Sequence, residues 1–143
     1  MEKIVRLVYS SKETEKLSNK DFIQMVAQSQ KNNFYLDITG MLLHLDEYYF
    51  QVLEGEKDET MKLYERIKLD NRHKEVKTVF IEHTDKRYFS DWSMGYTILR
   101  KVDIEKIKGM EDFFQFNGIE DMSLERAKKL VCAFVENEHI LIK

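Results

Sequence analysis

Two polar side chains stand where strand periodicity calls for apolar ones. Tyr9 continues the face that carries Val5 and Leu7, and Gln51 falls between Tyr49 and Leu53. If the two strands are neighbours, a phenol and a carboxamide meet inside the domain. A buried glutamine brings two donors and an acceptor, and all of them need partners. Taken one at a time, a core tyrosine and an edge-facing glutamine are the plainer readings. Asn32 and Asn33 fall at a helix end, where a C-cap accounts for them. Arg66, Asp70 and His73 lie near the end of a second helix as solvated charge, with Arg66 and Asp70 spaced as an i,i+4 surface pair of small worth. Trp92 and Met94 flank Ser93 at the entry to a late strand, where core packing is the default. Glu54 with Glu56, and Asp58 with Glu59, read as exposed loop charges. The four histidines (44, 73, 83 and 139) and the single Cys132 show no metal-ligand spacing. No Ser-His-Asp or Cys-His arrangement can be written. Glycines at 40, 55, 95, 109 and 118 allow neither a dinucleotide-binding nor a phosphate-loop glycine motif. On these residues alone no catalytic centre emerges.

The elements that must position them can be read from periodicity. Residues 3–10 alternate as a strand. Ser18 can cap a helix in which Phe22, Ile23, Val26 and Ala27 form a stripe to about Gln30, closed by Lys31-Asn32-Asn33. Strands follow at Ile38–Leu45 and Tyr48–Leu53, with Asp46-Glu47 as the hairpin turn. Asp58 can cap a second helix carrying Met61, Tyr64 and Ile67 down to about Asn71. Val76–Glu82 and Met94–Leu99 are further strands. Asp103 opens a helix to about Phe116, broken by Asn117-Gly118, and Ser123 caps a last one with the stripe Leu124, Ala127, Leu130, Val131, Phe134 and Val135. The order predicts an α+β fold: a ferredoxin-like βαββαββ sandwich with two additional C-terminal helices. In that arrangement the first and third strands are adjacent in the centre. The terminal helices are expected to cover the second face of the sheet, with the fifth strand beneath the last of them.

Composition narrows the classes. The chain has 143 residues, 23 basic against 26 acidic, and a formal charge of −3. That balance argues against affinity for nucleic acid built on counterion release. A single cysteine excludes a disulfide framework. The longest apolar run is the six residues from Leu130 to Val135, so neither a membrane span nor a signal peptide is expected, and a cytoplasmic location is.

Read together, the short motifs are specific where each alone is weak. They are Arg6-Leu-Val-Tyr9-Ser-Ser, Asn32-Asn33, Ile38-Thr39-Gly40-Met41-Leu42, Phe50-Gln51-Val52-Leu53-Glu54-Gly55, Asp70-Asn-Arg-His73 and Phe89-Ser-Asp-Trp92-Ser-Met94. In this order and spacing the chain resembles the BLUF family of blue-light sensors using FAD, over about residues 3–99. The resemblance implies a BLUF photosensor domain in residues 1–100 and a helical extension in residues 101–143 that packs on the sheet. It implies FAD held non-covalently between the first two helices. Tyr9 matches the electron and proton donor, and Gln51 the amide whose hydrogen bonds rearrange on illumination. Asn33 matches the residue on the ring carbonyl edge, with Asn32 and Ser29 beside it. Arg66, Asp70 and His73 match positions at the ribityl and phosphate end, and Lys31 is a looser candidate. Trp92 and Met94 match a pair proposed to relay the signal.

The physics suits a flavin, which needs apolar walls plus a few aimed polar groups. Ile23, Val26 and Ile67 are expected walls. No effector module is recognised after Arg100, so the chain looks like the short BLUF proteins: no enzymatic turnover, a separate signalling partner of unknown identity, and a homo-oligomer, with no nucleic acid and no membrane. Two other classes remain. An acylphosphatase-type enzyme would need an arginine in the loop after strand one, where Ser10-Ser11-Lys12 offers none. An RNA-binding sheet would show aromatic and basic residues on an open face, and Tyr48-Tyr49-Phe50 supplies only half of that.

Overall fold

A computed structural model describes residues 3–115 and 118–142. Five strands form one mixed sheet: β1 (Ile4–Glu13), β2 (Thr39–Leu45), β3 (Tyr48–Glu56), β4 (His73–Thr84) and β5 (Gly95–Leu99). Their order is β4-β1-β3-β2-β5. β1 is central and antiparallel to both β3 and β4, while β5 lies parallel to β2 at the far edge. Helix α1 (Asn19–Tyr35) follows β1, and α2 (Lys57–Lys68) follows β3. After β5 come the five-residue α3 (Lys101–Glu105) and α4 (Leu124–Glu136). This is the expected ferredoxin-like sandwich with two C-terminal helices.

Alternation along the strands divides the core in two. Leu7, Tyr9, Leu42, Tyr49 and Leu53 face α1 and α2, where Phe22, Val26, Leu63 and Tyr64 meet them. Val8, Met41, Leu43, Phe50 and Val52 face the other way, onto Ala127, Leu130, Val131 and Phe134 of α4. Both faces are therefore covered, and Tyr49 and Phe50 are buried. Among the described residues neither face of the sheet is open in the way an RNA-binding sheet requires.

Several boundaries move for physical reasons. Ser18 caps α1 as expected, its Oγ accepting from the Asp21 amide at 3.1 Å. The helix, however, runs past Asn32-Asn33 to Tyr35, with Leu36 as its C-cap and Asp37 in the left-handed region (φ 54). Asn33 is thus inside the helix and buried, not a cap. The cap of α2 is Glu56, not Asp58: its carboxylate accepts from the Glu59 amide at 3.0 Å. The helix expected to about Phe116 ends at Glu105, and Phe116 and Asn117 lie outside the described residues. Ile23 is not a wall but half exposed, and Leu124 likewise faces solvent. The expectation of β5 beneath α4 is also corrected. α4 lies against β4, where Lys128 reaches Glu82 at 3.6 Å and stands over the Phe80 ring. β5 instead meets the chain end through paired backbone bonds between Tyr96 and Ile142.

Glu54 is the largest departure from the sequence reading. It is fully buried rather than an exposed loop charge. Its carboxylate accepts from Arg6 Nε at 2.8 Å and from the Tyr88 and Phe89 amides at 2.7 and 2.9 Å. A buried carboxylate is tolerable only with such a full set of donors. Here it fastens the loop between β4 and β5, which bears Trp92 and Met94, to the centre of the sheet. Two glycines let the same loop pack closely. A Cβ on Gly40 would stand 1.9 Å from the Val52 carbonyl oxygen, and the Gly40 amide donates to Trp92 O at 3.0 Å. A Cβ on Gly95 would stand 2.7 Å from the Trp92 indole.

Candidate functional site

Between α1, α2 and the sheet lies a cleft, open to solvent, with a cavity volume of about 100 Å³. Its apolar lining is Met25, Leu42, Leu63 and Ile67. Its polar lining is Tyr9, Tyr49, Gln51, Ser29, Asn32, Asn33, Asp70, Arg72 and His73.

Tyr9 and Gln51 sit directly opposite one another in the β1–β3 register. The Tyr9 hydroxyl donates to Gln51 Oε1. Gln51 Nε2 is thereby turned toward Met94 and donates to its Sδ at 3.3 Å. One carboxamide thus joins the central strands to the segment entering β5. Two more, both from α1, hold the same segment: Asn33 Nδ2 donates to Ser93 O, and Gln30 Nε2 to Met94 O, each at 2.9 Å. Residues 93 and 94 are gripped by three amides, none of which can change orientation without losing its present bond.

At the other end of the cleft Arg72 forks onto Asp70, with Nε 2.9 and 3.0 Å from the two carboxylate oxygens. That guanidinium holds the Asp70 carboxyl below the usual range. His73 Nε2 lies 2.6 Å from the Ile67 carbonyl, which can only accept, so Nε2 carries a proton. Nδ1 lies 2.8 Å from Ser11 Oγ.

The cleft thus gathers Tyr9, Gln51, Ser29, Asn32, Asn33, Asp70 and His73. Met94 reaches it through Gln51. Trp92 does not line it; the indole belongs to the core on the α4 side. Arg66 and Lys31 are exposed and outside the lining, and the partner of Asp70 is Arg72, not Arg66. Sequence reasoning missed Met25, Leu42, Leu63, Tyr49 and Arg72 as site residues. Tyr49 carried a usable signal: it lies two residues from Gln51 and so on the same face of β3.

Burial raises the pKa of both cavity phenols. Tyr9 is pushed far above the ordinary tyrosine value by desolvation, with Tyr64 and Asp70 adding to it. Tyr49 is pushed up to about 12, again chiefly by desolvation. A phenol whose pKa is raised on folding stabilises the fold below the unfolded value of roughly 10, and that contribution is lost as pH rises above it. The unfolded chain ionises first. In the folded, flavin-free protein, tyrosinate ultraviolet absorbance should therefore stay incomplete near pH 11, with Tyr9 and Tyr49 of the seven tyrosines still protonated. Denatured protein should complete its titration around pH 10–11. Full ionisation of the folded protein by pH 11 would mean that water reaches the phenols.

A flat ring with apolar faces and a hydrogen-bonding rim matches this lining. So does a polar chain leading toward the charged end. The comparisons point the same way. The family model described as BLUF, sensors of blue-light using FAD, matches residues 4–95. Photoactivated adenylate cyclase subunit beta of Euglena gracilis is 36% identical over 92 residues, which are 64% of this chain and 11% of that protein. The chain therefore spans only a small part of that curated relative. Among solved structures, the dark state of BlrB, a BLUF protein, superposes with a TM-score of 0.77 at 25% identity, covering 96% of this chain and 98% of that one. The photo-activated state of BlsA gives 0.77 at 26% identity, covering 92% and 94%.

Proposed function

The chain belongs to the BLUF family, sensors of blue light using FAD, and we propose that Tyr9 and Gln51 convert absorption at a non-covalently held FAD into a rearranged hydrogen-bond network. The observation that carries this reading is the chain of contacts from the Tyr9 hydroxyl through Gln51 to Met94 Sδ. The residues that would hold FAD are Asn32, Asn33, Ser29 and Gln51 around the ring, with Asp70, Arg72 and His73 toward the phosphate end. Lys31 and Arg66, exposed and next in sequence to the lining residues Asn32 and Ile67, would meet only the outermost part of the cofactor.

Bound flavin supplies the absorption of blue light and, when excited, an acceptor for an electron from a neighbouring phenol. The protein's part lies in its own atoms. Tyr9 faces one acceptor, Gln51 Oε1, so a proton leaving Tyr9 Oη has that oxygen as its first stop. Exchanging the two ends of the Gln51 amide reverses every bond it makes. Oε1 would then face Met94 Sδ, setting two acceptors against each other, while Nε2 would face the Tyr9 oxygen. Losing a bond in a dry site costs on the order of 1–3 kcal/mol, enough to shift a two-state segment by roughly 5- to 150-fold. The segment affected is 93–94, with Trp92 immediately before it in the opposite core.

We further read the chain as a sensor without catalytic turnover that acts on a separate partner, self-associates and works in the cytoplasm. No described helix is long and apolar enough to cross a membrane. Phe34 and Tyr35, exposed together at the end of α1, give an apolar surface for association. The sensor domain is taken as residues 1–100 and the extension as 101–143.

Tyr9→Phe tests the reading. It keeps the ring's volume and removes the hydroxyl, so the protein should still purify yellow with FAD. The light-induced red shift should be absent in difference spectra. A normal photocycle in that variant would remove Tyr9 from the mechanism, and a chain that takes up no FAD would remove the reading altogether.

A further inference from the structure

A second phenol belongs to the cleft. Tyr49 is 4% exposed and lines the cavity beside Gln51. Its ring is fixed by neighbours: His44 stacks on it with centroids 4.6 Å apart, and Phe22 lies parallel within 4°. His44 is itself held by Glu13 at 3.0 Å. The Tyr49 hydroxyl has no hydrogen-bond partner among the described residues. Buried tyrosine hydroxyls ordinarily find one, and leaving one unpaired costs free energy. Thr60 Oγ1 is also buried and unpartnered, but it is no parallel. Thr60 is not among the residues that line the cleft. Tyr49 has the cleft beside it.

Position within the cleft narrows the partner. Asn33 and Gln51 occupy the end that touches residues 93 and 94. Tyr49 pairs across the sheet with Ser11, whose hydroxyl meets His73, and beyond desolvation its acidity feels the charges of Glu13, Arg72 and Asp70. It therefore belongs to the charged end. Burial keeps the proton on its oxygen, so the group is a donor lacking an acceptor.

We propose that the Tyr49 hydroxyl is a cofactor-binding donor, giving its hydrogen bond to an oxygen on the ribityl or phosphate chain of the bound flavin nucleotide. This rests on the cleft being the flavin site. The test uses the full chain stripped of flavin, titrated in the dark with FAD, FMN and riboflavin, as wild type and as Tyr49→Phe. The variant should be at least as stable as wild type without ligand, because it loses only an unsatisfied group. Its affinity for FAD should fall about tenfold, the worth of one net hydrogen bond. A loss shared by riboflavin assigns the acceptor to the ribityl chain, and a loss confined to FMN and FAD assigns it to phosphate; either supports the proposal. Unchanged affinity for all three ligands overturns it. So does a flavin-free variant less stable than wild type, since the hydroxyl would then have a partner within the protein. Wild type that fails to bind FAD at all would instead defeat the reading of the cleft.

Discussion

A Gln51→Leu protein should bind FAD and show no light-induced red shift. Leucine is close to glutamine in size, so the buried site stays filled between Tyr9 and Met94. It has neither donor nor acceptor, so the Tyr9 hydroxyl loses its acceptor and the Met94 sulfur its donor. The expected effect is complete loss, because no other side chain is bonded to both groups among the described contacts. Absorption spectra in the dark and after a blue pulse decide it. If the variant still forms the red-shifted state, another group is the switch. Retention of flavin matters equally, since a colourless protein would make Gln51 a binding residue before a switching one.

The second large effect lies on the opposite face. Phe134→Ala should destabilise the fold by about 3–5 kcal/mol, the usual range for deleting a fully buried phenyl. For a chain of this length that lowers the midpoint of thermal unfolding by roughly 10 °C. Against a total stability of order 5–15 kcal/mol the loss is severe. Phe134 packs in the same cluster as Val8, Phe50 and Val52 of the central strands, so α4 is part of the domain's core. Urea unfolding of both proteins measures the difference. A change below about 1 kcal/mol would mean that α4 is detached in solution. FAD affinity measured well below the midpoint should be unchanged, because the cleft is on the other side of the sheet.

How much of this was legible in the sequence depended on whether the information was local. The Tyr9–Gln51 pair was legible because strand alternation and one adjacency between strands suffice to place both. Ser18 as a cap was legible from three residues. Arg72 was not. The second helix was read as continuing to Asn71 but stops at Lys68, and Asp70–Arg72 then turns outside any helical phase. Glu54 was misread because its donors come from Arg6, Tyr88 and Phe89, 34 to 48 residues away. Ile23 shows the limit of a stripe: beside Phe22 and Val26 it looks apolar and inward, yet the helix turns it to solvent. Asn33 lines the cleft but sits inside the helix rather than capping it, since asparagine at an apparent helix end suggests a cap until tertiary contacts extend the helix.

The sheet with a different core on each face has a consequence for how such a chain can change over time. Along β1 and β3, odd-numbered positions answer to the cleft and even-numbered ones to α4. A substitution on one face is largely invisible to the other, so each set can drift under its own constraint without repair on the far side. The family model ends at residue 95, before α4 begins, so the helix that closes the second core lies outside the matched residues. The freedom ends where the chain crosses between faces. Trp92 and Met94, two residues apart, belong to opposite cores. A change at either must satisfy both at once, so a sequence wandering on one face is answerable to the other there.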